Sequence, residues 1–271
     1  MTKEISVALV GAGAMGGALL RGWLSAGTID PAASAIFDPA ADAALKKLAR
    51  QHDLALNPSP DELSVDALVL AVKPQAAASV LPAYASVARS ALVISVMAGM
   101  SLAAIARVLG DPPRLARAMP NLPAAFGAGV TGLYAPATVN ARARDVIDRL
   151  MAATGETVWV RSEKEIDFVT AVSGSGPAYF FLLTEALADA GAALGLEKEA
   201  AQRLARATAS GAGAMLAADP RSPADMRKAV TSPGGTTAAA LAILDGDAKA
   251  LRQLMKEAAA AAARRAAELT E

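Results

Sequence analysis

The stretch Ile5-Ser-Val-Ala-Leu-Val-Gly-Ala-Gly-Ala-Met-Gly16 joins a short apolar run to three glycines at fixed spacing. The apolar half predicts a buried strand, and a helix is predicted to open within the glycine motif and to continue to Trp23. In this context Gly11 permits a tight turn, Gly13 lets the backbone approach a pyrophosphate, and Gly16 lets the helix pack against the sheet. The stretch therefore predicts the first unit of a dinucleotide-binding sheet.

Further apolar runs continue this pattern along the first part of the chain. Buried strands are predicted at residues 5–10, 34–38, 67–72, 92–96, 115–119 and 157–160, with helical patterns between them. Residues 127–135 are a candidate strand outside the basic parallel set. Strands that alternate with helices are typical of a doubly wound α/β sheet. We therefore predict a Rossmann-type domain over residues 1–161.

The second part of the chain has a different composition. After Arg161 the sequence is rich in Ala and Leu, and it predicts an all-helical domain over residues 162–271. Turn signals lie mainly at Gly195, Asp219-Pro220, Ser232-Pro233 and Gly246. The last predicted helix, residues 247–268, contains the alanine run 258–263, which fits either close packing in an intertwined dimer or a tolerant surface helix.

Composition and charge narrow the functional classes. The 271 residues are 54% hydrophobic, which suffices for the buried core of one large or two modest domains. Lys plus Arg number 26 and Asp plus Glu number 26, without a block of like charge, so neither nucleic acid nor a membrane surface is a predicted partner. The absence of cysteine removes disulfides and sulfur-rich zinc sites, and no metal site is predicted.

The expected location is the cytoplasm. The N-terminal residues run into the first predicted strand without a charged and then apolar signal region. From the sequence alone, we expect no apolar run to reach the roughly 20 residues that are needed to span a bilayer.

Asp38 ends the second predicted strand, about 20 residues beyond the glycines, where an acidic group accepts hydrogen bonds from an adenosine ribose. A carboxylate there repels a ribose 2′-phosphate, and no arginine follows within residues 38–42, so Asp38 favours NAD(H). The alternative is an acidic residue that merely ends a strand and starts a turn.

Three further segments are expected at strand ends, where open sheets of this type bind ligands. Asn57 and the segment Ala71-Val72-Lys73-Pro74 follow later predicted strands. Lys73 either neutralises a cofactor phosphate or is only solvated. In the loop Met119-Pro-Asn-Leu-Pro123, the prolines stiffen the backbone and Asn121 can hydrogen-bond to a ligand or to a neighbouring loop.

The stretch Val230-Thr-Ser-Pro-Gly-Gly-Thr-Thr237 predicts an anion-binding loop in the helical part of the chain. Pro233 fits the first turn of a helix, and the two glycines let a ligand approach the backbone. The hydroxyl groups of Ser232, Thr236 and Thr237 lie beside amides that a helix start leaves free. Such a loop suits a small carboxylate.

These motifs, together with Ser173-Gly-Ser-Gly-Pro-Ala-Tyr-Phe-Phe181, resemble those of the pyrroline-5-carboxylate reductases in order and spacing, over practically the whole chain. The resemblance implies reduction of L-1-pyrroline-5-carboxylate to L-proline with NADPH or NADH, the final step of proline biosynthesis. It also implies an active site where the helical domains of two subunits interlock, in homodimers that often assemble further, commonly into decamers.

The resemblance also assigns roles to individual residues. The expected cofactor contacts are Gly11, Ala12, Gly13, Ala14, Met15, Gly16, Asn57, Ala71, Val72, Lys73 and Pro74, to which the ribose argument adds Asp38. The substrate carboxylate is expected to contact Ser232, Gly235, Thr236 and Thr237. Many relatives carry a basic or small polar residue near position 38, so Asp38 argues against carrying over a preference for NADPH.

The reaction needs positioning more than a strong base, because a protonated cyclic imine accepts hydride directly. Thr237 is the candidate catalytic residue, orienting the imine nitrogen by a hydrogen bond. His52 follows a polar helix end and is interpreted as solvated. Residues 173–177 are interpreted as a close-packing segment, with substrate binding as the alternative, and Tyr179-Phe180-Phe181 as core.

Two rival functions remain at this point. A hydroxy-acid dehydrogenase would share the glycine loop but needs a lysine or histidine placed to handle an alcohol proton, and the helical half contains no histidine. A dinucleotide sensor without catalytic activity would bind cofactor and change its oligomeric state. Oxidation of the cofactor that depends on the imine distinguishes the reductase from the sensor.

Overall fold

The chain forms a sheet flanked by helices and then a series of helices, in a computed structural model that describes residues 4–270. The strands are β1 (Val7–Val10), β2 (Ala35–Phe37), β3 (Ala55–Leu56), β4 (Ala67–Leu70), β5 (Leu92–Ser95), β6 (Leu115–Met119), β7 (Gly129–Tyr134) and β8 (Gly155–Trp159). Their order in the sheet is β3-β2-β1-β4-β5-β6-β7-β8. The pairing is parallel except between β6 and β7.

Helices connect the strands and make up the rest of the chain. They are α1 (Ala14–Ala26), α2 (Ala43–Gln51), α3 (Ala77–Val80), α4 (Ala85–Ser90), α5 (Leu102–Leu109), α6 (Ala141–Ala152), α7 (Glu165–Val169), α8 (Gly176–Ala193), α9 (Lys198–Ala218), α10 (Pro223–Ala229), α11 (Thr236–Asp245) and α12 (Ala250–Thr270). Short 3₁₀ turns lie at Pro60–Glu62, Pro74–Ala76, Leu81–Tyr84 and Leu122–Phe126, and a π-helical turn at Thr170–Gly174 joins α7 to α8.

The core lies on both faces of the sheet, as expected for strands that read as unbroken apolar runs. In β1, Val7 and Leu9 pack with one hydrophobic cluster, and Ala8 and Val10 pack with the other. Trp23 of α1 is fully buried, and its indole N–H donates to the carbonyl oxygen of Leu150 at 2.7 Å. The first helix is thereby fixed against the sheet and against α6.

The predicted strands correspond closely to the observed ones. Residues 115–119 form β6 as predicted, and the remaining predicted strands overlap observed strands with ends shifted by one or two residues. The candidate strand at residues 127–135 is present as β7, antiparallel to β6. The sequence interpretation missed β3, since a strand of two residues leaves no periodic signal.

The described residues divide into two compact units. One extends to Ser175 and includes the end of the chain from Ala262, and the other is Gly176–Ala261. Residues beyond Glu165 are helical, apart from their connecting loops. The predicted last helix, residues 247–268, corresponds to α12. The domain boundary after Arg161 stays a prediction.

The helices of the second unit expose much apolar surface. The interpretation of Tyr179-Phe180-Phe181 as core is wrong for Phe180 and Phe181 in the single chain, which are 65% and 61% exposed, whereas Tyr179 is half-buried. The physical reason is that α8 packs mainly on α9, through small residues: a Cβ added at Gly191 would lie 3.3 Å from the Cβ of Ala201. The remaining faces of α8 have no such cover from the described part of the chain.

One expectation about membranes needs correction. The continuous helical run Glu165–Ala193 is long and apolar enough to cross a membrane by length and composition, although no run of that kind was expected. The run is longer than any apolar stretch in the sequence because a π-helical turn at Thr170–Gly174 joins α7 to α8 without a break. Length and composition are weak evidence for a membrane span, because apolar packing helices meet the same criterion.

Candidate functional site

Three strand ends meet beside the glycine loop. In the sheet, β1 lies between β2 and β4, so that successive connections leave β1 in opposite directions. The amide of Gly11 donates to the carbonyl of Phe37 at 2.8 Å, and the amide of Ala71 donates to the carbonyl of Val10 at 2.8 Å. Open α/β sheets bind ligands in the crevice at such a switch point.

The glycines of the loop have distinct structural tasks. Gly11 has a φ of +90°, and a Cβ at this position would lie 2.8 Å from the carbonyl oxygen of Ala71. A Cβ at Gly16 would lie 2.0 Å from the carbonyl oxygen of Gly11. Gly13 is exposed and has no atom within 4 Å of its Cβ position. Gly11 and Gly16 make the turn compact, and Gly13 leaves the outer side of the loop accessible to a ligand.

Two of the helices that begin within the sequence motifs have no side-chain cap. In α2, α5, α6 and α9, a side chain at the N-cap accepts a hydrogen bond from the first turn; these caps are Asp42, Ser101, Asn140 and Glu197. In contrast, the N-caps of α1 and α11 are Gly13 and Gly235, which have no side chain to offer; the short helices α3, α4 and α7 also lack a side-chain cap. Amides of an uncapped first turn need an outside acceptor, and a phosphate or carboxylate supplies one. The starts of α1 and α11 both lie in motifs that the sequence singles out.

A cleft of about 510 Å³ lies beside the start of α1. Its lining includes the predicted residues Ala12, Gly13 and Asp38. It also includes Arg21 and Asp42, which the sequence interpretation did not select. The signal for Arg21 was available, because a residue four positions after Gly17 lies on the same helix face. The cleft fits the adenosine half of a dinucleotide.

Asp38 and Asn57 hold each other and the glycine loop. The Asp38 carboxylate accepts from the amides of Ala12 at 3.0 Å and Ala40 at 2.9 Å. The Asn57 amide group bonds to the backbone of Asp38 in both directions, accepting from its N–H at 2.8 Å and donating to its carbonyl at 3.0 Å. Asn57 has a φ of +52°, a backbone region that Asn tolerates better than most residues.

The segment after β4 lies against the glycine loop through its first residues. Ala71 and Val72 contribute the backbone atoms nearest the Cβ position of Gly11. Lys73 is exposed, and its backbone carbonyl accepts from Ala76 in the 3₁₀ turn that begins at Pro74. The structure therefore brings Ala71 and Val72 to the loop and leaves the Lys73 side chain open to solvent.

Asn121 connects neighbouring segments of the first unit. It is 8% exposed, its side-chain N–H donates to the carbonyl of Ser173 at 3.1 Å, and its side-chain oxygen accepts from the amide of Val130 at 2.9 Å. Next to this contact, a Cβ at Gly174 would lie 3.0 Å from the terminal methyl group of Met119. These contacts agree with the close-packing interpretation of residues 173–177.

His52 is exposed at the end of α2.

In the second unit, the loop 230–235 ends at the uncapped start of α11. Gly234 has a φ of +69°, and a Cβ at Gly235 would lie 2.4 Å from the hydroxyl oxygen of Ser232. Ser232 and Thr236 are exposed, and Thr237 is half-buried in the first turn. Three hydroxyl side chains and a helix start without a side-chain cap thus lie in one short segment. This arrangement can bind a carboxylate.

An ion-pair cluster that the sequence analysis did not predict connects the helices on either side of the loop 230–235. Asp245, the last residue of α11, pairs with Arg227 of α10 at 2.6 Å and with Arg252 of α12. Hydrogen bonds from Arg252, with a smaller contribution from Arg227, lower the pKa of the Asp245 carboxyl to about 2. Because α10 and α11 flank the loop, the cluster holds both of its ends.

We expect Asp245→Asn to weaken the dependence of stability on acid. A carboxyl whose pKa is lowered by folding stabilises the fold above its unfolded pKa, about 3.9. This contribution falls between about pH 4 and pH 2, as the folded carboxyl is protonated. Unfolding temperatures at pH 5 and pH 2.5 should therefore differ less in Asp245→Asn than in the wild type. Asp247→Asn, at an exposed carboxylate nearby, is the control and should behave like the wild type.

Comparison with known proteins gives matches in both parts of the chain. Residues 163–269 match the family model described as pyrroline-5-carboxylate reductase dimerisation, and residues 6–99 match that of NADP oxidoreductase, coenzyme F420-dependent. The pyrroline-5-carboxylate reductase of Pseudomonas aeruginosa is 42% identical over 268 residues, covering 98% of this chain and 97% of that protein. The enzyme of the same name from Synechocystis is 38% identical, covering 98% of each chain.

Solved structures give the same result. A pyrroline-5-carboxylate reductase from Coxiella burnetii has a TM-score of 0.91 and 35% identity, covering 99% of this chain and 100% of that one. Plasmodium falciparum pyrroline carboxylate reductase, solved with NADP bound, has a TM-score of 0.82 and 28% identity, covering 98% of both chains. On the agreement of sequence and fold over its whole length, the chain belongs to the pyrroline-5-carboxylate reductase family.

Proposed function

We propose that this protein reduces L-1-pyrroline-5-carboxylate to L-proline with NADPH or NADH, the final step of proline biosynthesis. The observation that carries this proposal is the pair of uncapped helix starts, one at Gly13 and one at Gly235, within a chain of this family. One suits a pyrophosphate and the other a small carboxylate, and the reaction needs both.

The chemistry requires little from side chains beyond positioning. The cofactor, when bound, supplies a hydride to the imine carbon. The residues of this chain hold the substrate carboxylate through the first-turn amides of α11 and the hydroxyl groups of Ser232 and Thr236. Thr237 is the proposed catalytic residue, whose hydroxyl orients the imine nitrogen. A hydroxyl that acts by hydrogen bonding has no need to titrate near neutral pH.

The proposed cofactor contacts are of two kinds. Backbone contacts come from the glycine loop and the segment after β4: Gly11, Ala12, Gly13, Ala14, Met15, Gly16, Ala71, Val72 and Pro74. Side-chain contacts come from Asp38 at the ribose and from Lys73 at a phosphate. Asn57 contributes through its bonds to the Asp38 backbone. Gly235 completes the substrate site by its amide.

The working protein is proposed to be a homodimer formed through the C-terminal helices, with a decamer as the larger assembly. The match of residues 163–269 to a dimerisation family supports the dimer, and so do the exposed apolar side chains of α8. We propose residues 1–161 as the cofactor domain and 162–271 as the dimerisation and substrate domain. Cytoplasmic location belongs to the same proposal.

The test is an assay of cofactor oxidation. Purified protein mixed with L-1-pyrroline-5-carboxylate should consume NADH or NADPH, measured by absorbance, and should yield proline in equal amount. A protein that binds cofactor and assembles, yet leaves both cofactors unoxidised, would be a sensor or act on another imine. Omitting the imine is the control, because oxidation without it would indicate an unrelated oxidase reaction.

A further inference from the structure

The Asp38 carboxylate is oriented before any ligand binds. One oxygen accepts from the amide of Ala12 and the other from the amide of Ala40, and both residues line the cleft. An ionised carboxylate has about four acceptor positions, so about two remain after these bonds. Ribose 2′- and 3′-hydroxyl groups are donors that match such positions. A 2′-phosphate at neutral pH offers mainly acceptors and negative charge.

Charge along the cleft favours the same ligand. The loop between β2 and α2 contributes two carboxylates to the lining, those of Asp38 and Asp42. The lining residues that the structure describes include one cation, Arg21 of α1, whose guanidinium lies 3.3 Å from the Cβ position of Gly17. On the Asp38 side, the described lining residues include no cation that would pair with a 2′-phosphate.

We infer that this protein selects NADH over NADPH, that Asp38 is the residue that makes the selection, and that Asn57 positions Asp38 for it. The inference rests on the proposed function and deepens it, because the family includes a structure with NADP bound. Asn57 acts through Asp38 and not on the ribose itself: its side-chain amide bonds to the Asp38 backbone in both directions, and its own N–H donates to the carbonyl of Ile36 in β2 at 2.8 Å.

The primary test uses the unaltered protein. Dissociation constants for NADH and NADPH are measured by nucleotide fluorescence without imine, and kcat/KM for both is measured with imine. We expect NADH to be favoured at least about tenfold in both measurements, equivalent to about 1.4 kcal/mol. Equal affinity or a preference for NADPH would overturn the inference.

Variants then assign the selection to residues. Asp38→Asn removes the charge and should lower the NADH preference about tenfold or more. The matched control is Asp42→Asn, which removes the second carboxylate of the same wall and keeps an N-cap acceptor for Leu45. If Asp42→Asn lowered the NADH preference as much as Asp38→Asn does, the preference would depend on the total negative charge of the loop between β2 and α2 and not on Asp38 itself.

Asn57→Gly tests the positioning role. Glycine keeps the left-handed backbone and removes only the amide group. We expect NADH binding to weaken about five- to tenfold while NADPH binding changes less, so that the preference falls. Equal weakening for both cofactors would reduce Asn57 to a structural role.

The measurements separate this inference from the proposed function. If NADH binds preferentially but no imine is reduced, the selection stands and the reductase proposal fails. If both cofactors drive imine reduction equally well, the reductase proposal stands and the selection by Asp38 fails.

Discussion

Gly16→Ala is expected to lower the affinity for cofactor by about 100-fold or more, because the glycine loop has no room for a side chain there. The added methyl group would lie 2.0 Å from the carbonyl oxygen of Gly11 and 3.1 Å from the Cβ of Ala71. The nearest atom belongs to the backbone, so relief requires that the loop and α1 move apart. That movement misaligns the first-turn amides that bind the pyrophosphate, and such overpacking costs about 1–3 kcal/mol of stability.

The matched variant is Gly13→Ala. At this position no atom lies within 4 Å of an added Cβ, and the backbone angles of −65° and −156° are open to any residue. Its unfolding temperature should fall less than that of Gly16→Ala, since the change only makes Gly13 a poorer N-cap, whereas cofactor affinity should fall because the methyl group occupies the side from which the pyrophosphate approaches.

Both variants are measured by NADH fluorescence titration and by thermal unfolding. Gly16→Ala should lower both quantities strongly, and Gly13→Ala mainly the cofactor affinity. Wild-type affinity in Gly16→Ala would show that the loop tolerates the methyl group. Wild-type affinity in Gly13→Ala would place the pyrophosphate elsewhere. The pair therefore separates the turn-forming glycine from the ligand-facing one.

The sheet could be predicted because its strands are buried on both faces. Residues 67–72 and 91–94 are continuous apolar runs, followed by Lys73 and Ser95, so the existence of β4 and β5 follows from composition. Their ends were less accurate, because hydrogen bonding decides whether Val72 or Val96 continues a strand. The strand at Ala55–Leu56 depends on its pairing with β2, and nothing local to the sequence signals it.

The candidate site was predictable where glycines require a particular backbone. Gly11, Gly16 and Gly235 each lie where a Cβ would meet another atom at less than 3 Å, which the motifs anticipate. The partners of Asn57 and Asp245 were not predictable. Each bonds to residues that are distant in sequence or on another helix, and single polar residues carry no pattern that names their partners.

The exposed aromatic residues illustrate a different limit. An apolar helix start such as that of α8 indicates burial, but it does not distinguish burial within the chain from burial between chains. Phe180 and Phe181 are exposed on the single chain, within the region that matches a dimerisation family. The apolar start of α8 was therefore correctly interpreted as a packing surface, but it was wrongly assigned to the core of the single chain.

Thr237→Val is expected to lower kcat about 100-fold, the loss typical of one removed hydrogen-bond donor at a reaction centre. Valine matches threonine in shape, so the first turn of α11 should persist. In the described residues, the Thr237 hydroxyl is half-buried beside the uncapped start at Gly235 and makes no hydrogen bond within the chain. It is therefore available to a ligand, and its loss leaves no protein group unpaired.

Thr237→Ser is the matched control, because it keeps the hydroxyl group and removes only a methyl group. We expect it to retain most of the turnover at saturating substrate, while the NADH dissociation constant stays at the wild-type value in both variants. Turnover that is equal in the valine variant and the wild type would exclude the hydroxyl from the mechanism. An increase in KM alone, with kcat unchanged, would make Thr237 a substrate-binding residue, since such a change reflects binding that is equally strong in the ground and transition states.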